Sequence, residues 1–268
     1  MSVALERGMA ILELLSTDRN GWQLSRLSDE LDIPVSATHR LLTSLIEMGY
    51  VHQTREMGQY CLSLKAVSLG IRYVSKNDLI DLARPLIDEL ASVSGELSRL
   101  GLVDGERLVW VSKSLGTRVG LRYDPDSGIE APIYCTASGI VWLATMSDEE
   151  VAQRVKRAGF AHVDEYGANA PRTFEEVLKH VRRARTHGWA MVTNSFEVNT
   201  AAMAALIYGE KQEPLGVLTI AGPSFRLSTK RMQELAPMLM RAAASLSEVN
   251  SRAFAMTPAG MQGQVTSP

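Results

Sequence analysis

Between Trp22 and Leu62 the chain spells out a helix, a break, a second helix and a hairpin in close succession, and few folds accommodate that order. Leu24, Leu27 and Leu31 recur at helical spacing, with Ser25 placed to cap a short helix. Asp32-Ile33-Pro34 breaks it, because proline fixes its own φ and biases the residue before it away from helix. A second helix restarts near Ser36. Thr38, Leu41, Leu42 and Leu45 form its buried stripe, and Gly49 ends it as a C-terminal cap. The free face then holds Val35, Ser36, Ala37, His39, Arg40, Thr43 and Ser44. Two short strands, residues 50–53 and 59–62, flank a loop with Arg55 and Gly58. The pattern predicts a winged helix-turn-helix. A helix with small hydrogen-bonding residues in front fits the DNA major groove, and the hairpin beside it reaches a neighbouring phosphate or minor groove.

The expected DNA contacts are Arg7, Ser25, Ser36, Ala37, His39, Arg40, Ser44 and Arg55. Winged helices also serve as protein-interaction modules, and in residues 1–65 acidic side chains outnumber basic ones. The electrostatic footprint of one copy is therefore weak. A dimer that gathers Arg7, Arg40 and Arg55 on one face supplies it.

A chain of 268 residues is too long for one winged helix and long enough for a second core. The boundaries read as a DNA-binding domain over 1–64, a linker helix over 65–77, a second domain over 78–254 and a disordered tail over 255–268. A net charge of −2 argues against a chain-wide polyanion binder. There is no signal pattern and no long apolar run, so no membrane association is expected. Cys61 and Cys135 read as buried thiols in a reducing compartment, which points to the cytoplasm. The histidines are scattered and there is no Cys-x-x-Cys, so neither metal nor cofactor is expected.

In the second domain a helix carries Leu82, Leu86 and Leu90, with Pro85 distorting its early part. Strand-like runs follow at 98–103, 108–113 and 119–123, the first two joined by an Asp104-Gly105 turn. Residues 136–146 read as helix. Ser147 with Glu150, and Thr173 with Glu176, are capping boxes that open two more. Strands at 189–193, 203–208 and 215–221 precede a closing helix over 228–250. The fold class is α/β of the α+β kind, an antiparallel sheet flanked by helices.

Thr136, Ala137, Ser138 and Gly139 place small residues at a helix opening, where free backbone N–H groups and the helix dipole favour an anion. The same stretch also reads as a plain helix cap under a sheet. An enzyme with an appended winged helix is the competing class. There is no Gly-x-Ser-x-Gly elbow, phosphate loop or metal cluster, and Cys135 has no histidine nearby to activate it.

Family resemblance adds to these readings. LERGMAILELL, LSRLSDELDIPVSATHRLLTSLIEMGYV and GQYCLSLKAVSLG resemble the N-terminal domain of the IclR family of bacterial transcriptional regulators. DLARPLIDELASVSGE, APIYCTASGIVWLA, HGWAM and GVLTIAGPSFRLSTKRMQELAP continue the resemblance over roughly residues 4–253. It implies a GAF-like second domain that binds a small effector, and a homodimer or dimer of dimers on a palindromic double-stranded operator, acting as repressor or activator. Where many members carry polar groups for a small oxo acid, this chain has Val192, Ala202 and Ala221, with Thr219 on the last strand and Ile140 in place of a lysine. Tyr123, Trp142 and Met146 are expected to line a wider, flatter cavity, Trp142 reading equally as an ordinary core residue. Asn194, Ser195 and Glu197, close to a buried strand, either hydrogen-bond an effector or sit in a solvated turn. The TASGxxWLA form resembles members that sense aromatic acids, so the expected effector is an aromatic or otherwise apolar organic acid. The alternative is a constitutive regulator whose second domain only oligomerises.

Overall fold

The structure is a computed structural model that describes residues 2–54, 57–116, 120–160 and 165–256, without the side chains from residue 250 onward. Arg55, the start of the 119–123 run and the tail 257–268 lie outside the described residues. The chain divides after Asn77 into two compact units.

The first unit comprises α1 (Val3–Leu15), α2 (Leu24–Glu30), α3 (Val35–Glu47), β1 (Val51–Gln53), β2 (Tyr60–Leu62) and α4 (Leu64–Val74). Ile11, Leu15, Leu27, Leu42, Leu45, Val51 and Tyr60 form its core. The α2–α3 turn is held from inside. Asp32 takes a left-handed φ of 49°, and the buried Ser28 and Thr38 hydroxyls both donate to the Ile33 carbonyl, at 2.5 and 3.3 Å. A carbonyl buried at a sharp turn needs such partners, because leaving it bare costs about 1–3 kcal/mol. Trp22 and Tyr60 exchange backbone hydrogen bonds at 3.0 and 2.9 Å, which keeps the chain extended up to Gln23. For that reason α2 starts at Leu24 without a side-chain cap, and Ser25 is an exposed residue inside the helix rather than its cap. Gly21 is dictated by this bridge: its φ is +85°, and a Cβ there would stand 2.3 Å from Cys61 Sγ. Ser63 caps α4, none of whose residues is buried in the single chain.

The second unit is built on one antiparallel sheet in the order β4-β3-β7-β6-β5. After α5 (Asp78–Ser94, Pro85 within it) come β3 (Leu97–Asp104), β4 (Arg107–Leu115), α6 (Ala137–Leu143), α7 (Asp148–Ala158) and α8 (Phe174–His187). β5 (Trp189–Thr193), β6 (Thr200–Tyr208), β7 (Pro214–Pro223) and α9 (Thr229–Met256) complete it. Strand alternation sorts the side chains. Leu100, Met203, Leu218 and Ile220 face the side covered by α5 and α9, while Trp110, Ala204, Val217 and Val192 face the side where α6, α7 and α8 pack. Ser147 and Thr173 both close their capping boxes. Residues 120–123 form no strand. Gly120 has a φ of +84°, and Lys113 Nζ ties this irregular segment to the sheet through Asp124 at 2.6 Å and the Pro125 carbonyl at 2.8 Å.

Candidate functional site

In the first unit α3 presents one polar face. Burial of Thr38, Leu42 and Leu45 leaves Ser36, His39, Arg40, Thr43 and Ser44 exposed, with Ala37 half-buried between them. Thr43 folds its hydroxyl back onto the His39 carbonyl at 3.0 Å, so it is less available than its neighbours. Arg7 on α1 is half-buried and Ser25 on α2 is exposed.

In the second unit strand register assembles a cavity. Val192, Ala202 and Ala221 stand side by side on β5, β6 and β7, and Leu97 closes that rung on β3. The next rung on the same face sets Ala204 beside Thr219 and Thr219 beside Arg99. Small side chains on the first rung leave room beneath the start of α6. The cavity so formed is lined by Arg99, Trp110, Tyr123, Phe196, Thr200 and Ala201 together with Thr136, Ala137, Ser138, Val192, Ala202, Thr219 and Ala221. Its free volume is ≈ 20 Å³, about enough for one water.

The polar groups of this cavity divide sharply. Ser138 and Thr219 share a hydrogen bond of 2.8 Å, and Trp110 Nε1 donates to Ser138 Oγ at 3.3 Å. Thr136 caps α6, accepting from the Gly139 amide at 3.0 Å and donating to the Pro132 carbonyl at 2.7 Å. These hydroxyls are committed to the fold. Arg99 is not. It is only 3 % exposed, its guanidinium lies 3.8 Å from the centre of the Trp110 ring, and its Nε and Nη1 have no hydrogen-bond partner. Burial pushes its pKa down, and Tyr123 and Glu197 opposite hold it up. The Tyr123 hydroxyl donates to Glu197 at 3.1 Å, and burial, then Glu197, raises its own pKa.

The structure thus brings together Tyr123, Thr136, Ala137, Ser138, Val192, Ala202, Thr219 and Ala221, and leaves four expected residues outside the lining. Trp142 is a core residue, 1 % exposed, with the Arg154 guanidinium 4.7 Å from the centre of its ring. Met146 packs at the edge of that core, its carbonyl held by Arg185 at 2.6 Å. Asn194 is a turn former with φ of 50°, accepting from the Asn199 amide at 2.8 Å. Gly139 permits close packing, since a Cβ would lie 2.2 Å from the Ile133 carbonyl oxygen. Its amide is already engaged by Thr136, so the helix opening is a poorer anion site than the sequence suggests, and the positive charge lies across the cavity. Arg99 escaped sequence reasoning. The available signal was the hairpin itself: Gly101 pairs with Trp110, and Arg99, two residues from Gly101, shares the face of that tryptophan.

A wider, open groove of ≈ 700 Å³ lies elsewhere, lined by Glu106, Arg107, Glu130, Arg154 and Arg157 among others. Arg157 pairs with Glu106, and Arg107 with Glu130, so those cations are held in direct ion pairs, whereas Arg99 keeps two nitrogens unpartnered. Burial pushes the Cys135 thiol up to about 12, which keeps it protonated and poorly nucleophilic at neutral pH. Among the described residues no cluster of His, Cys, Asp or Glu could hold a metal, and no helix is long and apolar enough to cross a membrane.

Comparison with known proteins gives both units relatives. Residues 4–55 match the IclR helix-turn-helix domain and residues 71–248 the bacterial transcriptional regulator IclR C-terminal domain. The acetate operon repressor of Salmonella typhimurium is 26 % identical, over 90 % of this chain and 87 % of that protein. The solved IclR transcriptional regulator from Alicyclobacillus acidocaldarius superposes with a TM-score of 0.79 at 19 % identity, covering 93 % of this chain and 99 % of the other. An IclR homologue from Microbacterium hydrocarbonoxydans, solved in complex with 4-hydroxybenzoate, gives 0.77 at 18 % identity over the same shares. The chain belongs to the IclR family of bacterial transcriptional regulators and is a DNA-binding regulator, not an enzyme.

Proposed function

We propose that operator binding by this regulator is modulated by a small organic acid, aromatic or otherwise apolar, held in the cavity under α6. The observation that carries this reading is Arg99: a buried guanidinium with two unpartnered nitrogens in a cavity of apolar walls. Two buried guanidinium nitrogens without hydrogen-bonding partners are costly, so an anion that satisfies both gains what Tyr123 alone does not supply. The body of the ligand follows from the other walls. With Ser138, Thr219 and Thr136 already paired, little remains to satisfy the extra oxygens of a small oxo acid. Trp110, Phe196, Val192 and the alanines favour an apolar body. That a homologue of the same fold was solved with 4-hydroxybenzoate supports the assignment.

Calorimetry with benzoate, 4-hydroxybenzoate, cinnamate, pyruvate and glyoxylate tests it. Binding of the aromatic acids, lost in Arg99→Met, is expected. Binding of pyruvate or glyoxylate alone would overturn the aromatic class, and silence across the panel would favour a constitutive regulator whose second domain only oligomerises.

DNA recognition is assigned to Ser36, Ala37, His39, Arg40 and Ser44 on α3, with Arg7 and Ser25 beside them and Arg55 from the wing. We further infer a homodimer or dimer of dimers on a palindromic operator in the cytoplasm. Val67, Ile71 and Tyr73 on α4, and Val3, Leu5 and Met9 on α1, are exposed apolar side chains in the single chain, which suits a partner copy. Light scattering at micromolar concentration checks this, a monomer with full operator affinity being the contrary result.

A further inference from the structure

We propose that Glu197 is a tethered stand-in for the effector's carboxylate, and that an incoming acid binds by displacing it from Tyr123, within the field of Arg99. This rests on the effector reading above and concerns how that site is regulated.

The free volume, ≈ 20 Å³, is too small for any organic acid, so a wall must give way. Most walls cannot. Val192, Ala202, Thr219, Ala221, Arg99 and Trp110 belong to paired strands, and Thr136 to Ser138 open a helix fixed by its cap and by Gly139. Two walls stand on irregular chain: Tyr123, in the segment tied through Lys113, and the hairpin 194–199 that carries Phe196 and Glu197. That hairpin is anchored at both ends. Ser195 Oγ donates to the Cys135 carbonyl at 2.7 Å, and the Ser224 amide to the Asn199 carbonyl at 2.8 Å. Between the anchors Glu197 is half-buried, and its side-chain contact is the Tyr123 hydroxyl. A swing of the Tyr123 side chain, once its hydroxyl releases Glu197, therefore opens the site without unpairing a strand.

The chemistry of the exchange is conservative. Glu197 is hydrogen-bonded to Tyr123 at 3.1 Å and its charge acts on Arg99, so a carboxylate already stands near the cation. An acid taking that place accepts from the free Nε and Nη1 of Arg99 and from the Tyr123 hydroxyl, while Glu197 regains water. One negative charge enters as another leaves, so the buried cation is never left without a counter-charge. A carboxylate tethered on a short hairpin competes at an effective concentration on the order of millimolar. The affinity for the effector is then lowered by the occupancy of this internal competitor.

Benzoate, 4-hydroxybenzoate and cinnamate are titrated into full-length wild type, Glu197→Gln and Glu197→Ala, with thermal midpoints as a folding control. Both variants are expected to bind the aromatic acids about tenfold more tightly than wild type, while Arg99→Met binds none. Unchanged or weaker affinity in both Glu197 variants, with binding still dependent on Arg99, overturns the displacement and leaves the effector reading standing. Binding that ignores Arg99→Met, or no binding in wild type and both Glu197 variants, overturns the effector reading and this inference with it.

Discussion

The residues offered to DNA and the residues around the cavity are arranged in opposite ways. On α3 they occupy successive turns of one helix, from Ser36 to Ser44. Around the cavity they come from β3, β4, β5, β6, β7, the start of α6 and two irregular segments, so Arg99 and Ala221 meet only because β3 pairs with β7. A helical face is set by its own periodicity and by the cap at each end. A cavity on a sheet is set by register, which long-range pairing decides. The first kind of site survives many changes elsewhere in its unit. The second fails wherever a distant strand slips.

The two sites should part most clearly at the two glycines that let each unit close. Gly139→Ala drives a Cβ to 2.2 Å from the Ile133 carbonyl, and Gly21→Ala adds strain at a φ of +85° to a 2.3 Å clash with Cys61 Sγ. Each is expected to cost about 3 kcal/mol or more, since backbone and packed atoms must move. Gly139→Ala should abolish acid binding, whereas Gly21→Ala should lose operator affinity and keep acid binding. Calorimetry and a mobility-shift assay on both variants read this out, and loss of both functions from one glycine would contradict independent assembly of the two sites.

Next in size is Arg99→Met. Two charge-assisted hydrogen bonds are removed at about 1.5–3 kcal/mol each, so acid affinity should fall at least about 100-fold. Operator affinity without ligand should stay within about twofold, because Arg99 shares no partner with the residues of α3. A parallel loss of operator binding would mean that Arg99 holds the fold rather than a ligand.

What the sequence made legible follows the same division. The helix-break-helix of α2 and α3, the glycine stop at Gly49, the hairpin at Asp104-Gly105 and both capping boxes are short-range signals, and the structure contains each of them. Ser25 misled because its reading ignored the bridge between Trp22 and Tyr60, a contact across the unit. Trp142 misled because a tryptophan near a helix opening reads equally as wall or core, and only the packing of α7 with Arg154 decides it. The run Leu97-Ser98-Arg99-Leu100 is buried on both faces, so alternation alone could not tell whether its arginine met solvent, core or cavity. The register shift between Leu100 and Gly101 adds an irregularity that no local pattern announces.

Arg40→Ala acts on the helical face alone. Arg40 is exposed on the front of α3, and a side chain that reads a base contributes about 1–3 kcal/mol, or roughly tenfold to 100-fold in operator affinity. Acid affinity should not change. Footprinting with unchanged protection by Arg40→Ala, and by a Ser36 and His39 double variant, would remove α3 from the recognition role.

The smallest expected effect separates local order in the second unit from the cavity itself. Ser147 Oγ accepts from the Glu150 amide at 3.2 Å, and the Glu150 carboxylate accepts from the Ser147 amide at 2.8 Å. Removing such a cap costs about 1 kcal/mol, and α7 contributes no residue to the cavity lining. Ser147→Ala should therefore lower the thermal midpoint by a few degrees, about 2–4 °C for a unit of this size, and leave acid affinity as it was. If acid affinity fell with the midpoint, the cavity would depend on helices that never touch it. The contrast between a helical face that stands on its own turns and a cavity that stands on strand register would then have to include the outer helices as well.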